Sequence, residues 1–199
     1  NERINWVMSH ELLHIVAMDR PAPADEKARK VFFGKVAAIP EQPLSTLYSY
    51  LTIPRLYAPR WYHEGLAVFM ETWMAGGFGR ALGGYDEMVF RTMVHDDAYF
   101  YDTVGLETEG KAIDFQVGQV SYLYGTRFIS YLADQYGPET LIAWHKRGPD
   151  TKASYRAQFK QLYGVGLDAE WKSWIERERE WQRANQEAIK EYPETEFEP

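Results

Sequence analysis

The sequence predicts a mainly α-helical protein that folds around a single core. Apolar residues recur at intervals of three and four positions in several long segments, which is the spacing of an amphipathic helix. Segments with the alternating pattern of a β-strand are nearly absent, and the sequence contains no internal repeat or low-complexity tract. With 199 residues, 45% of them hydrophobic, the chain can bury one sizeable core.

Charge and composition argue against several classes of partner. The net charge is −7 and the basic residues form no cluster, whereas nucleic-acid binders present a basic patch. No apolar run approaches the length of about 18 residues that a membrane span requires. The chain has no cysteine, so any metal ion must be held by histidine, aspartate or glutamate. We therefore expect neither a nucleic acid nor a membrane span, and the absence of cysteine leaves the compartment open.

The first predicted helix covers residues 3–18. Its apolar residues form a stripe along one side, and a Pro-Ala-Pro sequence ends it. Residues 24–60 are divided by further prolines, so we interpret them as an elaborated connection between two helices. Within this connection the sequence predicts a charged helical turn at 25–30 and a helix at 44–53.

Glycines and prolines divide the rest of the chain. A glycine-rich loop at 76–84 matches neither GxGxxG nor GxxxxGK[ST], so we do not expect it to bind phosphate. Residues 98–114 are irregular, Gly137 with Pro138 forms a helix stop signal, and Asp168 is the expected N-cap of the last helix. The predicted helices are 60–74, 85–95, 115–136, 138–147, 152–163 and 168–190.

Residues 10–14 read HELLH and lie within the first predicted helix. His10 and His14 are about one turn apart, so their imidazoles project from the same face and can bind one metal ion. Glu11 lies beside this face and can reach a ligand of that metal. Zinc suits two imidazoles, and a catalytic zinc site uses three protein ligands and leaves one position for water. We therefore expect Zn²⁺ and a third ligand from elsewhere in the chain.

The candidate third ligand is Glu64, which lies early in the apolar helix predicted at 60–74. A carboxylate is costly to bury there unless a cation or a hydrogen-bond partner compensates it. Gly65 removes side-chain bulk where we expect the two metal-bearing helices to approach each other. Glu71 lies two turns further along the same face and is expected to hydrogen-bond a metal-bound imidazole. His63 is the competing ligand, because adjacent helical residues point about 100° apart and only one of the two can face the metal.

Together these two segments resemble the gluzincin metallopeptidases, of the peptidase MA-like or aminopeptidase N type. In that superfamily zinc is held by the histidines of HExxH and by the glutamate of a downstream W-x-x-E-G-x-A helix, which residues 61–67 (WYHEGLA) match. The resemblance implies His10, His14 and Glu64 as zinc ligands and Glu71 as the supporting acid. Fifty positions separate His14 from Glu64, more than in compact members, so the connection should bulge out and shape the substrate cleft.

The resemblance also implies a fold and a cellular location. We expect residues 1–190 to form the helical part of a thermolysin-like zincin catalytic domain, followed by an acidic tail or linker at 191–199. The chain starts with Asn1 and its key motif begins nine residues later, so we expect a fragment whose edge sheet and any signal peptide lie upstream. The resemblance slightly favours an extracytoplasmic location, periplasmic or secreted.

Residues 122–125 (YLYG) resemble the Y-x-K-G sequence of the same enzymes, in which a tyrosine hydroxyl faces the zinc. The match aligns Tyr122 with that tyrosine and Tyr124 with the lysine. A phenol can donate a hydrogen bond to a developing oxyanion without carrying a charge of its own. Tyr124 is the alternative donor, and simple packing of Tyr122 with its hydroxyl satisfied is the alternative without a catalytic role.

These segments predict a zinc-dependent metallopeptidase that hydrolyses a peptide or protein substrate. Glu11 would serve as general base, and the zinc and Tyr122 would share the oxyanion. One alternative is an inactive peptidase-like domain that binds zinc for stability or uses its cleft to bind a peptide. Another is a helical scaffold without a metal.

The remaining histidines and the tryptophans are expected to have structural roles. His95 belongs to a polar helix end, His145 should lie at the surface near a helix C-terminus, and Asp19 should end the first helix. The tryptophans that we expect to pack are Trp6, Trp144, Trp171, Trp174 and Trp181.

Overall fold

Helices make up most of the described chain, which confirms the mainly α class. The computed structural model describes residues 2–74, 76, 79–108 and 117–193. Within those ranges there is no β-strand, only an isolated bridge between Ile39 and Gln42, and no helix long and apolar enough to cross a membrane. The helices are α1 (Glu2–Asp19), α2 (Pro23–Val31), α3 (Pro43–Thr52), α4 (Arg60–Met74), α5 (Gly84–His95), α6 (Gly105–Thr108), α7 (Val117–Tyr136), α8 (Pro138–His145), α9 (Tyr155–Tyr163) and α10 (Leu167–Ile189). Short 3-10 helices lie at Pro54–Tyr57 and Arg80–Leu82.

The helix ends agree closely with the predicted ones in the first half of the chain. α4 has the predicted bounds, and α1, α3 and α5 differ from theirs by no more than one residue at either end. The helix predicted at 115–136 is observed from Val117, and positions 115–116 lie outside the described residues. Residues 109–114 of the segment predicted to be irregular, and residues 194–199 of the acidic tail, also lie outside them.

The start of α10 corrects one prediction. Its N-cap is Gly166, so the assignment of Asp168 to that position was wrong. Asp168 lies in the first helical turn, where its carboxylate accepts a hydrogen bond from the Thr103 hydroxyl at 2.8 Å and another from Arg156. The side chain therefore ties α10 to two other segments instead of capping its own helix.

The connection between α1 and α4 is held by a buried ion pair. The carboxylate of Asp25 on α2 accepts hydrogen bonds from Arg147 at 2.6 Å and from the backbone N–H of Ala22 at 2.8 Å. Arg55, only 2% exposed, donates to the backbone oxygen of Trp144 at 3.2 Å. These contacts fasten α2 and the first 3-10 helix to the end of α8, so the long connection is packed against the domain.

His145 is also part of this packed region, so the prediction that it lies at the surface was wrong. It is 5% exposed, its ring stacks on Tyr62 with centroids 4.2 Å apart, and its Nδ1 donates to the backbone oxygen of Leu141 at 2.9 Å. Burial lowers the pKa of His145 to about 3, so the imidazole is neutral.

The core is built mainly from aromatic side chains of α4, α7, α8 and α10. Trp61, Phe128 and Trp171 are almost fully buried, and the Trp171 ring lies 4.8 Å from Trp61 and 4.6 Å from Phe128, centroid to centroid. Trp144 and Trp174 are buried as expected.

Trp181 is an exception among the tryptophans, because it is 60% exposed and its indole N–H donates to Glu87 at 3.0 Å. The prediction that its side chain packs was therefore wrong. The side chain of Trp6 lies outside the described part of the chain.

α4 and α7 cross at two facing glycines. A Cβ atom on Gly65 would lie 2.7 Å from the Cα of Gly125, and one on Gly125 would lie 3.0 Å from the Cα of Gly65. Neither helix could carry a side chain there without moving apart. The expected close approach at Gly65 is therefore real, but the partner is α7 and not the helix with the two histidines.

Candidate metal centre

α1 and α4 bring three potential metal ligands together. The ligand atoms of His10, His14 and Glu64 all lie within 4.8 Å of one another. The Oε2 atom of Glu64 is 3.1 Å from Nε2 of His10 and 3.3 Å from Nε2 of His14. In a tetrahedral zinc site with bonds of about 2.1 Å, ligand atoms are about 3.4 Å apart, so the two distances from Glu64 to the histidines fit such an ion.

The three side chains are partly open to solvent. The exposed fractions are 12% for His10, 16% for His14 and 14% for Glu64. Such a site is shielded on most sides, yet a small ligand or a substrate can still reach it. We refer to these three residues as the candidate metal centre.

Glu71 lies behind His10, in the position predicted for the supporting acid. Its Oε2 is 2.9 Å from Nδ1 of His10. A carboxylate only accepts hydrogen bonds, so Nδ1 carries the hydrogen and donates it to Glu71. In the neutral ring this leaves a lone pair on Nε2, which points at the Glu64 carboxylate, itself only an acceptor.

Two acceptors that face each other at 3.1 Å need a positive charge between them. Either a proton on Nε2 or a metal ion can supply it. The hydrogen bonds to Glu64 and Glu71 raise the pKa of His10 to about 9. Without a metal ion, the two carboxylates therefore favour a proton on both ring nitrogens. Burial opposes ionisation of Glu64, but its hydrogen bonds with His10, His14 and Tyr122 hold its pKa well below the usual range.

Glu11 lies on α1 beside the metal centre with its side chain exposed. The helical spacing puts it on the open side of α1 together with Met8, Leu12 and Ile15, which are 55%, 53% and 57% exposed. Glu11 is therefore accessible from the solvent, and an incoming molecule could contact it without displacing other side chains.

Tyr122 on α7 also lies at the metal centre. Its ring is parallel to that of His10, with centroids 6.2 Å apart and an interplanar angle of 21°. Its hydroxyl interacts with the Glu64 carboxylate and with the Arg60 guanidinium. Burial, the largest cause, raises the pKa of Tyr122 above its ordinary value, so the phenol keeps its proton.

The alternative candidates are bonded to groups outside this centre. The Nε2 of His63 donates to the backbone oxygen of Arg55 at 2.9 Å, and burial lowers the pKa of His63 to about 4. The hydroxyl of Tyr124 lies in the core, where it accepts from the backbone N–H of Tyr101 at 3.3 Å. His95 is exposed at the end of α5 and bonds to Asp96 at 2.8 Å, as its expected helix-end role requires.

Two basic residues at this centre were not predicted from the sequence. Arg60 is four residues before Glu64 on α4, and its Nε lies 3.6 Å from Oε1 of that residue. This i,i+4 spacing was a usable signal. Arg80 lies within the glycine-rich segment and reaches the ring of Tyr122, with its Cζ 5.0 Å from the ring centroid. No local sequence pattern predicts the contact between Arg80 and Tyr122, because it depends on the tertiary fold.

Comparisons with known proteins gave no match. Neither the family models, nor the curated proteins, nor the solved structures contain a match to this chain.

Proposed function

We propose that this protein is a zinc-dependent metallopeptidase of the gluzincin type, with His10, His14 and Glu64 as zinc ligands. The observation that carries the proposal is the acceptor pair at the centre: Nε2 of His10 faces the Glu64 carboxylate while Nδ1 is committed to Glu71. The donor set of two imidazoles and one carboxylate is one that catalytic zinc uses in hydrolases.

The surrounding side chains can carry out the hydrolytic steps. Zinc bound at this site would supply Lewis acidity, which activates water and polarises a peptide carbonyl. Glu11 would accept a proton from the attacking water and pass it to the leaving amine. Tyr122 would donate its hydroxyl hydrogen to the oxyanion of the tetrahedral intermediate. Glu71 would keep the His10 ring in the required orientation and tautomer.

The proposal includes the thermolysin-like zincin fold, in which a sheet packs beside the helix that bears the two histidines. The open side of α1 supports this part. Five apolar side chains on this side are between 53% and 62% exposed. They are those of Val7, Met8, Leu12, Ile15 and Val16. Apolar side chains concentrated on one side of a helix are typical of a surface that another element or partner covers.

The test combines metal analysis with a peptide-hydrolysis assay. Purified protein should contain about one zinc per chain, and it should cleave members of a peptide library in a reaction that a chelator stops and zinc restores. Glu11→Gln should keep the zinc and lower turnover by about 10² to 10⁴-fold, because the general base is lost. Glu176→Gln, at an exposed position of α10, is the matched control and should leave both properties unchanged.

The outcomes separate the proposal from its alternatives. Zinc without chelator-sensitive hydrolysis would indicate a peptidase-like domain that uses zinc for stability or its cleft for binding. An active Glu11→Gln protein would overturn the assigned role of Glu11. Absence of zinc, with no affinity for it in a titration, would overturn the metal site itself.

A further inference from the structure

Two arginines converge on the ring of Tyr122 beside the metal centre. The Cζ atom of Arg60 lies 5.5 Å from the centre of that ring, and the Cζ atom of Arg80 lies 5.0 Å from it. Arg60 begins α4 and Arg80 begins the second 3-10 helix. We refer to Arg60 and Arg80 as the arginine pair.

The position of Arg80 is fixed by a close contact between its segment and α4. A Cβ atom on Gly79 would lie 2.6 Å from the Cα of Thr72, so only glycine permits this approach. The Thr72 hydroxyl also accepts a hydrogen bond from the backbone N–H of Ala81 at 3.1 Å. Arg80 is thus held between two anchored residues and is directed to the site by the backbone.

The Arg60 guanidinium interacts with the Tyr122 hydroxyl, but neither arginine of the pair has a carboxylate at hydrogen-bonding distance among the described residues. Within the described part of the chain, the nearest carboxylate to Arg60 is Oε1 of Glu64 at 3.6 Å, and the nearest to Arg80 is Oδ1 of Asp86 at 3.9 Å. Both distances are too long for hydrogen bonds. The side chains of Arg60 and Arg80 are 50% and 37% exposed, so a ligand can reach them from solvent.

We propose that the arginine pair binds a carboxylate of the substrate next to the metal centre. A guanidinium presents two parallel N–H groups, which match the two oxygens of a carboxylate. The substrate class would be peptides with a carboxylate close to the scissile bond. Either the C-terminal carboxylate or the side chain of an aspartate or glutamate can supply this group. This inference rests on the proposed peptidase function, whose substrate it specifies.

A purely structural role for the arginine pair makes a different prediction. If the two arginines only stack on Tyr122 and balance the charge of Glu64, their replacement would alter stability but would not discriminate between ligands that differ in one carboxylate. A binding comparison between matched peptides therefore separates the two roles.

The test measures binding to the zinc-loaded Glu11→Gln protein by fluorescence polarisation. The probes are the N-terminally fluorescein-labelled peptide Ala-Ala-Phe-Ala-Ala as free acid, the same peptide as C-terminal amide, and the amide with aspartate as its last residue. We expect the free acid to bind about 10-fold or more tightly than the plain amide, because a charged hydrogen bond is lost in the amide. Recovery of affinity by the aspartate amide would assign the subsite to side-chain carboxylates as well as to C-termini.

Arg80→Gln, introduced in the same background, should reduce the difference between free acid and plain amide to about 2-fold or less. Arg183→Gln, at an exposed position of α10, is the matched control and should preserve the difference. Circular dichroism checks that both variants are folded. Equal binding of the free acid, the plain amide and the aspartate amide, or a difference that survives Arg80→Gln, would overturn the inference.

The binding and hydrolysis assays distinguish a failure of the carboxylate subsite from a failure of the proposed peptidase function. A protein that prefers the free acid through Arg80 but hydrolyses no peptide would retain the carboxylate subsite and lose the peptidase assignment. A protein that hydrolyses free acid and amide with the same KM would retain the peptidase assignment and lose the subsite.

Discussion

His10 has a carboxylate against each nitrogen of its ring. Glu71 lies 2.9 Å from Nδ1 and Glu64 lies 3.1 Å from Nε2. One imidazole cannot donate to both carboxylates unless it is protonated, so the arrangement favours either the imidazolium ion or a metal on the Nε2 side. Glu71 thus decides which nitrogen is available to the metal, although it lies outside the ligand set.

We predict that Glu71→Gln weakens zinc binding by about 10 to 100-fold. The amide keeps a hydrogen-bond acceptor near Nδ1 of His10 but removes the negative charge that makes the ring a stronger ligand. Competition with a chromophoric chelator would measure the affinity, and Glu176→Gln would serve again as the exposed control. Unchanged affinity of the Glu71→Gln protein would show that the contact at 2.9 Å has no influence on the metal.

His145 makes the stability of the folded chain depend on pH. Its pKa is about 3 in the folded state, because burial disfavours the charged ring, and 6.5 is its ordinary value. Above pH 6.5 the ring is neutral in both states, so it adds no pH dependence there. As the pH falls from 6.5 towards 3, only the unfolded chain gains the proton, and stability is lost.

We predict that this residue removes about 2 kcal/mol of stability between pH 7.5 and pH 5. Urea denaturation at the two pH values would measure the loss, and His145→Asn should reduce it by about that amount, since asparagine does not titrate. His95→Asn is the control, because the side chain of His95 is 76% exposed, and it should leave the loss unchanged. The same pH dependence in the wild-type and His145→Asn proteins would contradict the prediction.

At the scale of elements, the crossing of α4 and α7 determines whether the site forms. α4 carries Glu64 and Glu71, and α7 carries Tyr122. The facing glycines let the two helices approach closely enough for these side chains to meet the histidines of α1. A small separation of the two helices would therefore disturb the site and the core together.

We predict that Gly65→Ala destabilises the protein by about 1 to 3 kcal/mol or more, because the new Cβ would overlap the backbone of α7. The crowding outweighs the gain in helix propensity of about 1 kcal/mol that alanine offers. Gly84→Ala is the matched control, since nothing lies within 4 Å of a Cβ at that helical position, and it should be neutral or slightly stabilising. Urea denaturation of both variants would measure the effects, and equal stability would contradict the assigned contact.

The helices could be predicted from the sequence because their signals are local. The apolar spacing and the Gly137-Pro138 stop are read within a few residues, and most of the observed helix ends lie close to the predicted ones. The contacts that fix the surroundings of the site are not local. The partner of Gly65 is 60 positions away, and the ion pair of Asp25 with Arg147 spans 122 positions, so neither could be inferred from neighbouring residues.

In the candidate site, too, the residues within local patterns could be predicted and those that depend on long-range contacts could not. HELLH and the EG pair of α4 are short patterns with a chemical reason, so His10, His14, Glu64 and Glu71 could be singled out before the fold was known. The prediction that His145 lies at the surface was wrong because its burial depends on residues that are distant in the sequence. Its polar neighbours suggested solvent, whereas Arg147 beside it is 3% exposed and neutralises a buried aspartate from another helix.

At the scale of the whole molecule, α1 from Val7 onward is held less firmly than the helices that build the aromatic core. Between Val7 and Asp19 no side chain is fully buried, whereas α4, α7 and α10 all contribute to the aromatic core. α1 packs mainly on α4 and on the first 3-10 helix. A segment with few buried apolar contacts opens at lower free energy than the core does. Yet this helix supplies two of the three candidate metal ligands.

A zinc ion at the candidate centre would therefore act as a crosslink between α1 and α4. We predict that zinc slows amide hydrogen exchange chiefly in α1, while exchange in the central turns of α10 changes little. Saturation at about 100 times the dissociation constant stabilises the bound form by about 2.7 kcal/mol, which corresponds to roughly 100-fold slower exchange through local opening. Glu64→Gln removes the ligand from α4 and should abolish the protection, whereas Glu176→Gln should retain it. Uniform protection of α1 and α10, or protection that persists in Glu64→Gln, would mean that zinc does not bridge these two helices.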